Sequence, residues 1–184
     1  MPGQVVSSRA EGLAARVAEE RRAFDESFAR ARSGAPAARE SALRIAVGGD
    51  AYVVRLSEVG GVFLDRPVTR LPGEAKGFFG VAGIGASFVP VWDLRVLLGY
   101  AAPGRPRWVL SAAAASVALA FDGCTGHLGP EAGAFSPTEA GARREGLVRE
   151  TVRWEGSLLP VLCVDAVLDN IRSLARPGAG RKER

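Results

Sequence analysis

Few residues in this sequence are suited to proton transfer or nucleophilic chemistry. His127 is the single histidine of the chain, and Cys124 lies three residues before it. A cysteine and a histidine can act together as nucleophile and base, but these two belong to one predicted strand, where an odd separation sends side chains to opposite faces. A zinc site needs about four ligands, and the only other thiol is Cys163. We therefore predict neither a catalytic dyad nor a metal site.

Carboxylates and glycines are the other candidates for chemistry. Asp93, Asp122 and Asp165 each follow a predicted strand, a position typical of helix caps and turns rather than of paired catalytic acids. Residues 77–85 are rich in glycine, but a phosphate-binding loop needs glycines that open a helix. Here strands surround them, which favours close backbone packing. We predict that the protein is not an enzyme and uses no cofactor.

The elements that must position these residues include a duplicated phrase. Residues 87–98 read SFVPVWDLRVLL, and residues 157–168 read SLLPVLCVDAVL. Each copy indicates a short strand containing a proline, followed by a helix. Because their separation exceeds a solenoid period of about 20–50 residues, the duplication predicts two similar lobes.

Turn residues divide most of the remaining chain into short strands, as in an all-β barrel fold. Residues 68–74 and 129–143 read as loops, since proline, glycine and polar residues dominate them. Asp93 is predicted to cap a short helix that ends at Leu98. The predicted strands are 43–47, 51–56, 61–66, 77–84, 87–91, 108–110, 116–121, 124–128, 147–154 and 157–162, with a closing helix at 164–174.

Composition and charge define three parts of the chain. Residues 1–40 are predicted to form an N-terminal helix and linker, because Ser7 and Ser8 precede a segment rich in Ala, Glu and Arg. This helix either lies on the barrels, which we favour, or docks against a helical partner. Residues 41–175 form the β domain. Residues 176–184 form a basic tail, whose proline and glycines favour disorder.

The overall composition is that of an ordinary globular protein, with 47% hydrophobic and 24% charged residues. No apolar run reaches the roughly 18–20 residues that a membrane span requires, and the amino terminus lacks a secretory pattern. We therefore expect a cytoplasmic location. The net charge of +4 comes mostly from scattered single arginines, which favours a solvated surface over a phosphate-binding face.

The pair Gly80-Val81 and the run FVPVWDLR at 88–95 resemble the chemotaxis coupling proteins of the CheW family. The middle strand pair of that family reads approximately G-V-x-N-L-R-G-x-x-V-P-V-x-D-L-R. The resemblance covers about residues 43–174. It implies two SH3-like five-stranded β-barrel lobes around a shared hydrophobic seam. Lobe one would span about 55–105, and lobe two would take the remainder with the first hairpin strand.

The resemblance also implies function by binding alone. Family members join chemoreceptor tips to the regulatory domain of the histidine kinase CheA. The implied partners are a receptor tip, that CheA domain and other CheW-like proteins, with no nucleic acid and no membrane insertion. The binding strip follows the glycine strand and the groove between the lobes, and its candidate residues here are Val54, Val81, Gly83, Gly85, Ala86, Phe88 and Phe121.

Departures from the family fall on the same strip. Where the family has N-L-R-G, this chain has Gly83-Ile84-Gly85-Ala86, so Gly85 replaces an arginine that could hold a carboxylate with two donors. Cys163 stands where a second D-L motif is usual, which is expected to weaken a helix cap. We interpret the chain as a divergent CheW-like adaptor. The alternative is a small-barrel nucleic-acid-binding protein, suggested by the arginine-rich tail.

Overall fold

The computed structural model describes residues 39–72, 75–138 and 146–175. The predicted N-terminal helix and the basic tail lie outside this part of the chain. The described residues form two six-stranded sheets and two α-helices. In chain order the elements are β1 (Ala42–Val47), β2 (Asp50–Arg55), a 3₁₀ turn (Leu56–Glu58), β3 (Val59–Leu64), β4 (Val68–Thr69), β5 (Phe78–Ile84), β6 (Ser87–Asp93), α1 (Leu94–Leu97), β7 (Trp108–Ala112), β8 (Ala118–Phe121), β9 (Gly123–Leu128), a 3₁₀ turn (Ala132–Ala134), β10 (Phe135–Pro137), β11 (Val148–Trp154), β12 (Ser157–Leu162) and α2 (Val164–Leu174).

The two sheets share one plan. Lobe one has the strand order β4-β5-β6-β8-β7-β3, and lobe two has the order β10-β11-β12-β2-β1-β9. Each strand of one lobe therefore has a counterpart at the same place in the other. Each has a single parallel pair, joining Val91 of β6 to Ala118 in lobe one and Val161 of β12 to Val53 in lobe two. The duplicated phrases form β6-α1 and β12-α2. The N-terminal hairpin β1-β2 therefore completes lobe two in the place that β7-β8 takes in lobe one.

This pairing refines the sequence prediction in three respects. Each sheet has six strands rather than five, because the predicted loops at 68–74 and 129–143 contribute the short strands β4 and β10. Lobe one extends through Phe121 rather than ending near residue 105, since β8 pairs with β6. Both β1 and β2, not one strand, belong to lobe two. All three features depend on long-range pairing, which local sequence patterns do not specify.

Alternation along the central strands divides their side chains between two cores. In β8, Ala118 and Ala120 face a core within lobe one, whereas Leu119 and Phe121 face a core shared by both lobes. In β2, Val53 faces a core within lobe two. The shared core is the seam implied by the family resemblance, and its buried members include Ile45, Val47, Tyr52, Val54, Trp92, Leu94, Leu97, Leu110, Leu119, Phe121, Leu162, Val164 and Val167.

Val54 and Phe121 belong to this shared core and not to a binding surface. They are 1% and 0% exposed, and the ring of Trp108 stacks on Phe121 with 6.4 Å between ring centroids. The strands β2 and β8 have a neighbour on each side and are covered on both faces, so an apolar side chain on either strand is buried whichever way it points. Their prediction as partner-binding residues is therefore corrected.

The helix that closes lobe two lacks the local N-terminal cap that α1 has. In α1 the Asp93 carboxylate accepts from the backbone N–H of Arg95 at 3.0 Å, as predicted. Cys163, in the equivalent place before α2, makes no such bond. Glu58, in the 3₁₀ turn after β2, lies near this helix start, and the Val164 N–H lowers the pKa of its carboxyl group. A carboxylate from another part of the chain is thus near the helix N-terminus that lacks a local cap.

Glu58 carries an electrostatic cost in this position. Burial raises its pKa above the ordinary 4.5, and the negative charges of Asp165 and Glu150 raise it further, while the Val164 N–H and the Arg55 guanidinium act in the opposite direction. A carboxyl group whose pKa is higher in the folded state binds protons more tightly there than in the unfolded chain. Its contribution to stability is therefore complete below pH 4.5 and is lost as the pH rises through the folded-state pKa.

Glu58→Gln keeps an oxygen that can accept from Val164 but cannot ionise. We expect the unfolding free energy of this variant, relative to the wild type, to increase as the pH is raised from about 4 to about 7. Urea unfolding at several pH values measures it. Glu155→Gln, in an exposed turn, controls for the change in net charge. A difference between Glu58→Gln and the wild type that is constant across this range would contradict the assignment.

Candidate functional site

The predicted residues Val81, Gly83, Gly85, Ala86 and Phe88 all lie on the β5-β6 hairpin of lobe one. Val81 pairs with Pro90 and Gly83 pairs with Phe88, so these four share one face, because directly opposite residues in an antiparallel pair point the same way. The other face, with Ala82, Val89 and Val91, is buried in the core of lobe one. We call the outward set, Val81, Gly83, Phe88 and Pro90, the hairpin face.

Phe88 is the most exposed large apolar side chain of the described residues, at 85%. Its cross-strand neighbour Gly83 has no side chain, which leaves a gap beside the ring. Gly85 forms the adjacent turn with a φ of 59°, a left-handed conformation that favours glycine. An aromatic ring next to a gap on a sheet face can anchor an apolar group of a partner.

Two arginines contact β5, the strand that carries Val81 and Gly83. Arg66 donates from Nε to the carbonyl oxygen of Gly83 at 2.7 Å, and its Nη2 also contacts this oxygen. The guanidinium of Arg70 lies 4.8 Å from the centre of the Phe79 ring. The strand β4 begins at Val68, opposite Ala82, so it does not cover Gly83, and the preceding Pro67 has no N–H to donate. The Arg66 side chain therefore satisfies a carbonyl at the sheet edge and brings positive charge to the apolar face.

A buried ion-pair network centres on Arg95, in the helix that follows β6. The Arg95 side chain is 4% exposed and pairs with Asp93, from Nη2 at 2.7 Å and from Nε at 3.0 Å. Its Nη1 donates to Asp122 and to the Pro103 carbonyl, both at 3.1 Å, and its Nη2 reaches the Gly104 carbonyl at 3.4 Å. All five N–H groups of the guanidinium are thereby used. The Asp93 hydrogen bond is the largest cause that raises the pKa of Arg95.

Asp122 carries this network into lobe two. Its second oxygen accepts from the backbone N–H of Gly48 at 2.7 Å, in the turn between β1 and β2. Gly48 has a φ of 61°, and a Cβ there would overlap the ring of Tyr100, so the turn needs glycine for both conformation and space. The hydroxyl of Tyr100 in turn contacts that of Tyr52 at 2.8 Å. We call Arg95, Asp93, Asp122 and Gly48 the inter-lobe clamp. Sequence reasoning placed Asp93 and Asp122 at strand ends but did not identify Arg95.

An open cavity of about 370 Å³ borders the clamp. Its charged groups, Arg95 and Asp122, are already paired with each other, and the Tyr100 hydroxyl contacts Asp50 and Tyr52. These groups hold the lobes together and leave the cavity few donors for a ligand. Its lining residues are Gly48, Gly49, Arg95, Tyr100, Ala101, Pro103 and Asp122.

The Cys124 and His127 pair needs one correction. The β1-β9 register shifts between Arg44 and Ile45, so that Cys124 lies opposite Ile45 and His127 opposite Leu43, on one face of β1. The bulge thus cancels the odd separation, and the argument from opposite faces is wrong. Cys124 packs against the shared core, whereas His127 is exposed. Within residues 39–72, 75–138 and 146–175, no group of three His, Cys, Asp or Glu side chains could hold a metal ion.

The fold and the hairpin face define a two-lobed β protein with an exposed apolar residue, Phe88, on the outer face of lobe one. Residues 41–172, more than half of the chain, match the family model of the CheW-like domain. The chain therefore belongs to the CheW-like family. Its architecture is similar to that of the scaffolding protein TtCheW from Thermoanaerobacter tengcongensis, with a TM-score of 0.62 and 13% sequence identity, covering 68% of this chain and 89% of that one. A search of curated proteins finds no match.

Family membership supports the role of a chemotaxis scaffold or coupling adaptor. At the level of the family, these proteins are scaffolds rather than enzymes. In the part of the chain that the structure describes, no helix is long and apolar enough to span a membrane.

The inter-lobe clamp leads to a stability prediction. Arg95→Met leaves Asp93 buried without its cation, and we expect it to lower the unfolding free energy by about 3–5 kcal/mol. Arg172→Met, which removes an arginine that is 65% exposed and pairs with Asp169, should change it by less than about 1 kcal/mol. Chemical denaturation of the two variants makes the comparison. Equal, small effects would show that the clamp does not hold the fold.

Proposed function

We propose that this chain is a non-enzymatic adaptor that couples chemoreceptors to the histidine kinase CheA, or to a related array component, by protein–protein binding. It would act in the cytoplasm, in association with membrane-proximal or cytoplasmic chemosensory arrays. One observation carries the proposal: on a domain of the CheW-like family, Phe88 stands 85% exposed beside the gap at Gly83. The partners are a receptor tip and the regulatory domain of CheA, with other CheW-like proteins as further contacts.

The hairpin face provides the contact surface in this proposal. Phe88 is the apolar anchor, and an apolar partner side chain fills the gap at Gly83 against Val81. Gly85 and Ala86 lie in the adjacent turn, which lets a partner approach the backbone closely. Aromatic residues near the centre of an interface commonly contribute most of its binding energy.

Lobe two offers a natural comparison. Leu158 occupies the position in β12 that Phe88 occupies in β6, and it is 59% exposed. Its cross-strand partner is Arg153 rather than glycine. The gap beside the exposed apolar side chain is therefore specific to lobe one, which supports placing the principal contact there.

Phe88→Ala tests this assignment. We expect it to weaken binding to the receptor tip or to the CheA regulatory domain about tenfold or more, because it removes the anchor. The melting temperature should stay close to that of the wild type, since the ring is almost fully exposed. Leu158→Ala is the matched control, with affinities expected within about twofold. Titration calorimetry with the purified partners measures both.

The outcomes separate two questions. If the folded wild-type chain binds neither partner, the coupling function is refuted. If it binds and Phe88→Ala binds equally well, the hairpin face is not the contact surface.

Gly85 allows a test of the missing family arginine. Gly85→Arg restores a forked donor in a place where nothing lies within 4 Å of an added Cβ. The φ of 59° imposes strain of about 1–2 kcal/mol on any other residue. Gly85→Ala carries the same strain without the guanidinium and is therefore the proper reference. We expect Gly85→Arg to bind the receptor tip about tenfold more tightly than Gly85→Ala, as a charge-assisted hydrogen bond predicts. Equal affinities would remove this explanation of the divergence.

A further inference from the structure

A cleft of about 240 Å³ lies in lobe one where the segment after β3 meets the segment before β7. Its lining residues are Asp65, Arg66, Pro67, Arg105, Pro106 and Arg107, and we call it the arginine cleft. We propose that the arginine cleft binds carboxylates of a protein partner, so that the segment docked on the hairpin face is an acidic amphipathic helix. This inference rests on the proposed adaptor function and specifies the chemistry of its partner.

The charges in the cleft do not balance. Three arginines surround one carboxylate, and Arg107 engages that carboxylate with two hydrogen bonds to Asp65, from Nε at 3.0 Å and from Nη2 at 2.6 Å. Arg66 is directed to the Gly83 carbonyl, which is uncharged. Arg105 makes no hydrogen bond or ion pair in the described part of the chain, and its charge acts on Asp65 only as a weaker, longer-range attraction than that of Arg107. Two positive charges are thus left for an acidic ligand.

The backbone of the cleft is held in place before any ligand arrives. Asp65 has a φ of 50°, a left-handed conformation uncommon for a residue with a side chain. Its N–H donates to the Arg107 carbonyl at 2.7 Å, which ties the two walls together. Pro67 and Pro106 restrict the backbone on both walls, and Pro106 is buried. A preorganised site loses less conformational entropy on binding.

Arg66 joins the cleft to the hairpin face. A Cβ on Gly83 would lie 3.9 Å from its Nη2, so the guanidinium borders the gap that Gly83 leaves opposite Phe88. A strand added to β5 at this edge would have to displace Arg66 from the Gly83 carbonyl. A partner segment can instead dock on the hairpin face without displacing Arg66. A helix with carboxylates beside an apolar stripe places an apolar side chain at Phe88 and negative charge at Arg66 and Arg105.

The same features argue against a nucleic-acid ligand. Non-specific binding to a phosphate backbone needs many neutralised phosphates, whereas this cleft leaves two arginines uncompensated. The Asp65 carboxylate lies among them and repels closely spaced phosphates. The apolar residues of the hairpin face beside it, Val81 and Pro90, offer no further aromatic ring on which bases could stack.

Arg105→Glu in the full-length chain tests the cleft. Binding to the receptor tip and to the CheA regulatory domain is titrated at low and high salt. We expect affinity for at least one of them to fall about tenfold or more at low salt, with a weaker salt dependence than the wild type. Arg153→Glu, the same charge reversal on an exposed arginine of lobe two, should bind like the wild type. Since Arg105 and Arg153 are both exposed, both variants should melt near the wild-type temperature.

A charge swap gives a second readout. Replacement of single carboxylates on the docking helix of the partner by lysine should, at one position, restore affinity to Arg105→Glu while weakening wild-type binding. The inference is overturned if the wild type binds a partner and Arg105→Glu binds it equally well at both salt concentrations. If the wild type binds neither partner, the proposed function itself fails. Binding of duplex DNA that Arg105→Glu abolishes would overturn the acidic-protein assignment.

Discussion

The pairing of the Arg95 guanidinium determines how the rest of the structure is held. Its five N–H groups reach two carboxylates and two backbone carbonyls, and Asp122 extends the network to the turn at Gly48. A buried charge that lacks a partner carries an uncompensated desolvation cost, so the loss of a partner lowers the stability of the fold. The clamp therefore connects α1, the segment before β7 and the N-terminal hairpin of lobe two, and fixes their relative positions. The hairpin face is carried on the same lobe, directly before α1.

Divergence between the two lobes explains why the candidate site is on one side only. Both copies of the repeated phrase form a strand with a proline and then a helix. The side chains that differ between the copies change the helix cap and the surface beside the exposed apolar residue. Asp93 corresponds to Cys163, so that α2 has no local side-chain cap and the Glu58 carboxylate lies near its N-terminus instead. Gly83 beside Phe88 corresponds to Arg153 beside Leu158. The duplication conserves the fold, whereas the exposed gap and the arginine cleft are features of lobe one.

Much of the fold could be predicted because its signals are local. The β1-β2 hairpin follows from a glycine turn between two β-rich runs, and α2 occupies the predicted 164–174. The short strands β4 and β10 were missed, since two or three residues carry no periodic signal. The bulge that places Cys124 and His127 on one face was missed as well, because it depends on pairing with β1. Phe121 was misassigned as a partner-binding residue because the alternation of side chains along a strand separates its two faces but does not indicate which face is buried.

By itself the sequence determined the two related lobes, the hairpins, the Asp93 cap, and the hairpin that carries Val81, Gly83 and Phe88. These follow from turn chemistry, period-two alternation and capping, which act between near neighbours. Only the tertiary structure decided that Val54 and Phe121 are core, that Arg95 joins the lobes, and that Arg66 lies against Gly83 beside Arg105. These features bring together residues from separate strands and segments. They depend on which sheet faces meet and which edges stay open, and a linear pattern does not contain that information.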